Sequence, residues 1–185
     1  NGFFIKKLEN QIKKFTKSKY VICTINGVSA IHASLLSLGV EKDDEVLLPS
    51  LTFVATAHPV LYIGAVPHFV DASIQNLGIC ANKLEIYLKN IAYKKGSFFY
   101  NKLTKRRLRA IIAVHIFGNP CEILKLRLIA KKYNLNIVED ATEALGSFLN
   151  KKHTGTFGDV GIFSFNGNKI ITAGGGGAVI TNKKK

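Results

Sequence analysis

A chain of 185 residues, 47% of them hydrophobic, is long enough to bury a core of its own and too apolar to stay unfolded. Its 26 Lys and Arg outweigh 12 Asp and Glu, a formal net charge of +14 that favours an anionic partner such as nucleic acid or a phosphorylated ligand. The lysines fall as scattered pairs plus one cluster, KLTKRRLR at 102–109, without the aromatic and basic pattern of an RNA-binding surface, so solvated surface is expected and nucleic acid is not.

In chain order, the opening NGFFIKKLENQIKKF lacks the apolar core and cleavage site of a signal peptide. No apolar run reaches the roughly 18 to 20 residues of a membrane span. A cytoplasmic protein with no membrane partner is therefore expected. Short β-rich runs follow at 20–24, 45–49, 67–71, 110–115, 136–140 and 161–165, separated by stretches with helical spacing at 28–39, 56–64, 82–90 and 121–134. The last of these stretches ends at Asn134, a residue suited to a left-handed helix cap. Strand alternating with helix predicts an α/β domain with a largely parallel sheet. Residues 92–109 read as a surface loop. The glycines at 174–177 read as a tight turn into a final strand, and both chain ends read as cut, since residue 1 is not Met and the chain stops in NKKK. Cys23, Cys80 and Cys121 are odd in number and lack CxxC spacing, which predicts free thiols, no disulfide framework and no metal site.

In an open parallel sheet, ligands bind beyond the carboxyl ends of the strands. After the first strand stands NGVSA (26–30), where Gly27 opens a helix whose amides suit a phosphate, or is merely structural. After the second stands PSLTF (49–53), with Phe53 as an aromatic plate or a core residue. After the fifth stands EDATEA, which gathers Glu139, Asp140 and Glu143, carboxylates that either cap a helix or hold a cationic ligand. SFNGNKIITAGGGG (164–177) then sets Lys169 between Ser164 and the glycines. A lysine, a carboxylate and phosphate-binding turns are what pyridoxal phosphate requires: an amine for a Schiff base and an acid beside the pyridine nitrogen. Neither GxxxxGK nor GxGxxG occurs, so a nucleotide loop is a poor alternative.

Residues 139–182, together with GVEKDDEVLLPSLTFVATAHPVLYIGAVPHFVD and AIIAVHIFGNPCEI, resemble the DegT/StrS sugar aminotransferases, and the likeness spans the chain. SFNGNK and HIFGNPC look nearest the branch that makes 4-amino-4,6-dideoxy sugars such as perosamine and the precursors of bacillosamine and legionaminic acid. The resemblance implies the three-layer α/β/α large domain of a fold-type I enzyme, without the smaller C-terminal domain. It also implies a pyridoxal 5'-phosphate cofactor, a homodimer when full length, and transfer of an amino group, usually from glutamate, to the C4 ketone of a nucleotide-linked sugar for surface polysaccharide or lipopolysaccharide. Carried over by position, Lys169 is the cofactor-linking and proton-shuttling lysine and Asp140 the partner of the pyridine nitrogen. Glu143 lies near the ring hydroxyl, Phe53 stacks on the ring, and Ser164 and Gly27 meet the phosphate. His115 matches a recurrent position and reads as a structural histidine. Val28 departs from the pattern, standing where a threonine hydroxyl would meet the phosphate. With the short length, Val28 leaves open a non-catalytic or truncated paralogue that keeps the fold. A dehydratase of the family is disfavoured, because those enzymes carry histidine at the lysine's place.

Overall fold

The computed structural model of the chain describes residues 2–184. In chain order it runs α1 (Phe3–Thr16), β1 (Tyr20–Thr24), α2 (Gly27–Ser37), β2 (Glu45–Pro49), α3 (Val54–Tyr62), β3 (Val66–Val70) and α4 (Ala81–Ile91). The hairpin β4 (Ala92–Lys95) and β5 (Phe98–Asn101) follows, then β6 (Arg107–Val114), α5 (Ile123–Tyr133) and β7 (Asn136–Asp140). The small hairpin β8 (Phe148–Leu149) and β9 (Lys152–His153) precedes β10 (Val160–Ser164) and β11 (Gly177–Thr181).

The main path of the sheet is β1-β11-β10-β7-β6-β2-β3. From β10 to β3 every pairing is parallel, whereas β11 is antiparallel to both its neighbours. Side chains alternate between two apolar layers, as the strand period of two requires. Ala110, Ile112 and Val114 of β6 join Ala30, Leu35 and Val60 of α2 and α3 on one face. Ile111 and Ala113 join Leu84, Leu88, Leu126 and Ile129 of α4 and α5 on the other. Near the β11 edge a further cluster is closed by Ile12 of α1 against Phe163, Ala178 and Ile180. This is the expected three-layer α/β/α arrangement with a mostly parallel sheet.

One element is added and one expectation is corrected. Helix α1 was not anticipated, and residues 92–109 are not one surface loop. Residues 92–95 and 98–101 pair as a hairpin that docks on the start of β6, Phe99 opposite Leu108 and Tyr100 opposite Arg107. Here the basic cluster finds its partners within the chain. Arg107 forms a fork on Asp44, with Nε and Nη2 each 2.7 Å from a carboxylate oxygen. Arg109 Nη2 donates to Leu38 O at 2.7 Å and Nε to Gly39 O at 3.0 Å, satisfying carbonyls that the end of α2 leaves without helical partners. Both guanidinium groups also lie over the Phe98 ring. The Asn134 cap is present, with φ 51° and ψ 45° at the end of α5.

The hairpin is tied to β2 through Glu45, which is 1% exposed. Its carboxylate accepts from His68 Nδ1 at 2.7 Å, from Asn101 Nδ2 at 3.0 Å and from the Thr104 hydroxyl. Burial pushes the Glu45 carboxyl up, but these donors outweigh it and hold the group below the ordinary value of 4.5. A carboxyl depressed in the folded state contributes stability that is complete above its unfolded value and is lost as pH falls through its folded value. Urea denaturation between pH 7 and pH 3 should therefore show stability declining below about pH 4.5. Glu45→Gln should cost about 1–3 kcal/mol at neutral pH and flatten the acidic limb. Parallel curves for the two proteins would show that Glu45 carries none of that pH dependence.

Candidate active site

Several strands stop along one edge of the sheet, and the turns that follow them enclose a cavity of about 320 Å³. The seven residues singled out in the sequence, Gly27, Val28, Phe53, Asp140, Glu143, Ser164 and Lys169, all line it. A larger cavity of about 680 Å³ lies between α1, α2 and β1. It holds none of the seven. The smaller cavity is the candidate site because convergent polar groups, rather than volume, mark a place for chemistry.

Asp140 ends β7 and is only 3% exposed. Its Oδ1 accepts from the Thr142 hydroxyl at 2.7 Å and the Thr142 amide at 3.2 Å. Its Oδ2 accepts from the Thr56 hydroxyl at 2.8 Å, which itself accepts from the Thr52 hydroxyl at 2.8 Å. Among the described residues no Lys, Arg or His forms an ion pair with Asp140. Its charge is held by hydroxyl and amide dipoles, which leaves room for a cationic ligand group. Lys169 follows β10. Its Nζ lies 3.4 Å from Glu143 Oε1 and 5.9 Å from the centre of the Phe53 ring. Phe53 precedes the first turn of α3 and is two-thirds exposed, so it faces the cavity instead of the core.

Opposite Lys169, α2 begins at Gly27, and the Asn26 side chain caps it by accepting from Ser29 N at 2.7 Å. The first amides of the helix, at Gly27 and Val28, have no carbonyl four residues back within it. A β-carbon on Gly27 would lie 3.2 Å from Ser164 Cβ and 3.3 Å from Thr142 Cγ2, so the glycine lets the helix start approach Ser164. The four glycines do more than turn the chain. A β-carbon on Gly177 would fall 2.5 Å from the Asn26 carbonyl carbon and 2.8 Å from Gly27 N, so β11 passes directly against the turn that opens α2.

Glu139 does not join the other two carboxylates. The strand pleat turns it to the opposite face, fully buried, where it accepts from His115 Nε2 at 2.9 Å, Gly155 N at 2.8 Å and the amides of Phe157 and Gly158. His115 is fully buried too, and its Nδ1 accepts from the Cys121 amide at 3.2 Å. Burial disfavours a charge on this ring, while the neighbouring Glu139 carboxylate favours one. Because the Cys121 amide hydrogen points at Nδ1, that nitrogen needs its lone pair. The geometry assigns the neutral tautomer, its proton on Nε2 and shared with Glu139. Sequence reasoning missed Thr52, Thr56 and Thr142. Only Thr142 had a local signal, two residues after Asp140, the spacing at which a side chain bonds the nearby backbone.

The comparisons with known proteins now decide the family. A model of the DegT/DnrJ/EryC1/StrS aminotransferase family matches residues 1–185. The chain belongs to that family. GDP-perosamine synthase of Escherichia coli O157:H7 is 37% identical over 183 residues, 99% of this chain and 46% of that protein. A DegT/DnrJ/EryC1/StrS aminotransferase structure from Brucella abortus superposes with a TM-score of 0.87 at 30% identity, covering 98% of this chain and 47% of that one. NtdA from Bacillus subtilis, solved with its cofactor PMP bound, superposes with a TM-score of 0.83 at 29% identity, covering 100% and 38%. The chain thus spans less than half the length of these relatives. Among the described residues no helix is long and apolar enough to cross a membrane.

In this member of the DegT/DnrJ/EryC1/StrS family the contact between β11 and the start of α2 sets a sharp test. Gly177→Ala should drive the two segments apart and destabilise the protein by more than about 2 kcal/mol, at the large end for a single methyl. A thermal melt unchanged from the parent would show that the approach is looser than described.

Proposed function

We propose that residues 1–185 are the cofactor-binding large domain of a pyridoxal-phosphate-dependent sugar-nucleotide aminotransferase. The observation that carries this reading is the meeting, in one cavity, of Lys169 Nζ, the buried Asp140 carboxylate and the Gly27–Ser164 cradle. The relatives' names and the PMP-bound relative support it.

The residues fit the cofactor. Asp140, carrying a charge with no cation paired to it among the described residues, suits a protonated ring nitrogen. The amides of Gly27 and Val28 at the helix start, with the Ser164 hydroxyl, suit a phosphate. Val28 brings its amide but no hydroxyl, so one donor fewer meets that phosphate than a threonine would supply. Phe53 offers an exposed aromatic face. Pyridoxal phosphate, when bound, supplies a ring that draws electrons from the carbon next to nitrogen. The chain's own part is positional and protonic. Asp140 keeps the ring nitrogen's proton in place, Lys169 Nζ takes and returns a proton, and Glu143 stands beside that amine as its charge partner.

For the substrate we propose a nucleotide-linked 4-keto-6-deoxy sugar, aminated at C4 with glutamate as donor. The product is a 4-amino sugar for surface polysaccharide or lipopolysaccharide, made in the cytoplasm by a homodimer. The perosamine synthase relatives support the sugar, and the exposed apolar side chains of Phe117, Ile170 and Ile171 around the site support a covered, dimeric form.

Two experiments test the reading. Borohydride reduction of protein soaked with pyridoxal phosphate, followed by peptide mapping, should place a pyridoxyl group on Lys169; label on another lysine, or on none, would overturn the site. The protein expressed from its complete reading frame should convert glutamate and a GDP- or UDP-linked 4-keto-6-deoxy sugar to 2-oxoglutarate and the 4-amino sugar. Residues 1–185 alone should fall orders of magnitude short, because substrate positioning supplies much of the rate. Equal rates from the two would refute the large-domain reading, and a product aminated at another carbon would refute the proposed sugar.

A further inference from the structure

We infer that the main-chain amide of Phe117 is a positioning donor that aims the Glu143 carboxylate at Lys169. The inference rests on the reading of Lys169 as the site's reactive amine. Its starting point is a backbone outlier. Phe117 has φ 51° and ψ 29°, and Gly118 follows at φ 81°. Two successive left-handed residues are uncommon, and a phenylalanine is a poor occupant of that region. The ring does not explain the conformation, because it is 79% exposed. The amide does. Phe117 N donates to Glu143 Oε2 at 3.0 Å, while Glu143 Oε1 faces Lys169 Nζ at 3.4 Å. One carboxylate is thus gripped at one oxygen by the turn and presents the other to the lysine.

The turn is anchored from behind, so it does not relax to an unstrained form. His115 N donates to Asp140 O at 3.1 Å, and the His115 ring is fixed by Glu139 and by the Cys121 amide. The same strand end that carries His115 therefore sets the height of Asp140 and the direction of Glu143. Strain held at a site by over-determined surroundings marks a conformation with a purpose. Here that purpose is to keep a partly exposed carboxylate from turning into solvent.

The amide is tested by removing it without changing the side chain. Incorporating the α-hydroxy acid analogue of Phe117 replaces the N–H by an ester oxygen and leaves the ring in place. Phe117→Asn is the opposite control, removing the ring but keeping the N–H in a residue that tolerates a left-handed backbone. The readout is competitive acetylation of Lys169 near neutral pH in cofactor-free protein, mapped by mass spectrometry against surface lysines. The ester form should label Lys169 about threefold faster, the size of effect expected when a partly exposed ion pair is lost. It should approach the rate of Glu143→Gln, with Phe117→Asn behaving as the parent. Parent-like labelling in the ester form, or faster labelling in Phe117→Asn, would overturn the inference. Should the ester form melt early, the pH titration of the Phe117 amide resonance in intact protein decides: it should follow Glu143 and vanish in Glu143→Gln, and a flat titration would overturn the contact. Because cofactor is absent throughout, failure here is separate from failure of the borohydride mapping.

Discussion

The pleat of β7 sends two adjacent carboxylates to opposite sides of the sheet, and the site depends on that separation. Glu139 goes to the face of α4 and α5, where one imidazole and three amides satisfy its oxygens and lock the segment ahead of β10. Asp140 goes to the face of α2 and α3, where Thr56 and Thr142 hold it. Side by side in a buried space, the two charges would repel, and one would take up a proton. On opposite faces each meets its own set of donors, one as a structural anchor and the other facing the cavity. Removing either side chain would leave its buried donors unmet, which costs more than the net worth of the bonds lost.

The architecture was legible where the chain's periodicity and its packing agree. Strands β1, β2 and β7 stand where the alternation placed them, and Asn134 caps α5 as its type suggested. Residues 92–109 were obscure because Tyr93, Phe98, Phe99 and Tyr100 are interrupted by lysines and by Gly96, so neither period emerges from so short a hairpin. Helix α1 is obscure in the sequence because lysines and a glutamate crowd its apolar stripe. Phe4, Leu8, Ile12 and Phe15 mark an apolar stripe at helical spacing, yet only Ile12 is buried.

The candidate site was legible as a set of residues and not as a geometry. Position along the chain marked Lys169, Asp140 and Ser164 through their neighbours in recognisable motifs. It grouped Glu139 with Asp140 and Glu143, because adjacency in sequence hides the two-residue alternation of a strand. It passed over Thr52 and Thr56, which reach Asp140 across 84 residues of chain in the case of Thr56. Long-range hydroxyl contacts leave no local pattern. The charge excess was the least informative feature, since two of the most concentrated arginines serve helix ends and a neighbouring aspartate.

The chain of hydroxyls from Thr52 through Thr56 to Asp140 behaves as a small internal solvent. Water around an ionised carboxylate would have to reorient whenever the charge opposite it changed. Two hydroxyls, carried on α3 and the residues just before it, are already aligned on the carboxylate. The donors on Asp140 are thus oriented before any ligand arrives, so less reorganisation is needed when the charge opposite the carboxylate changes.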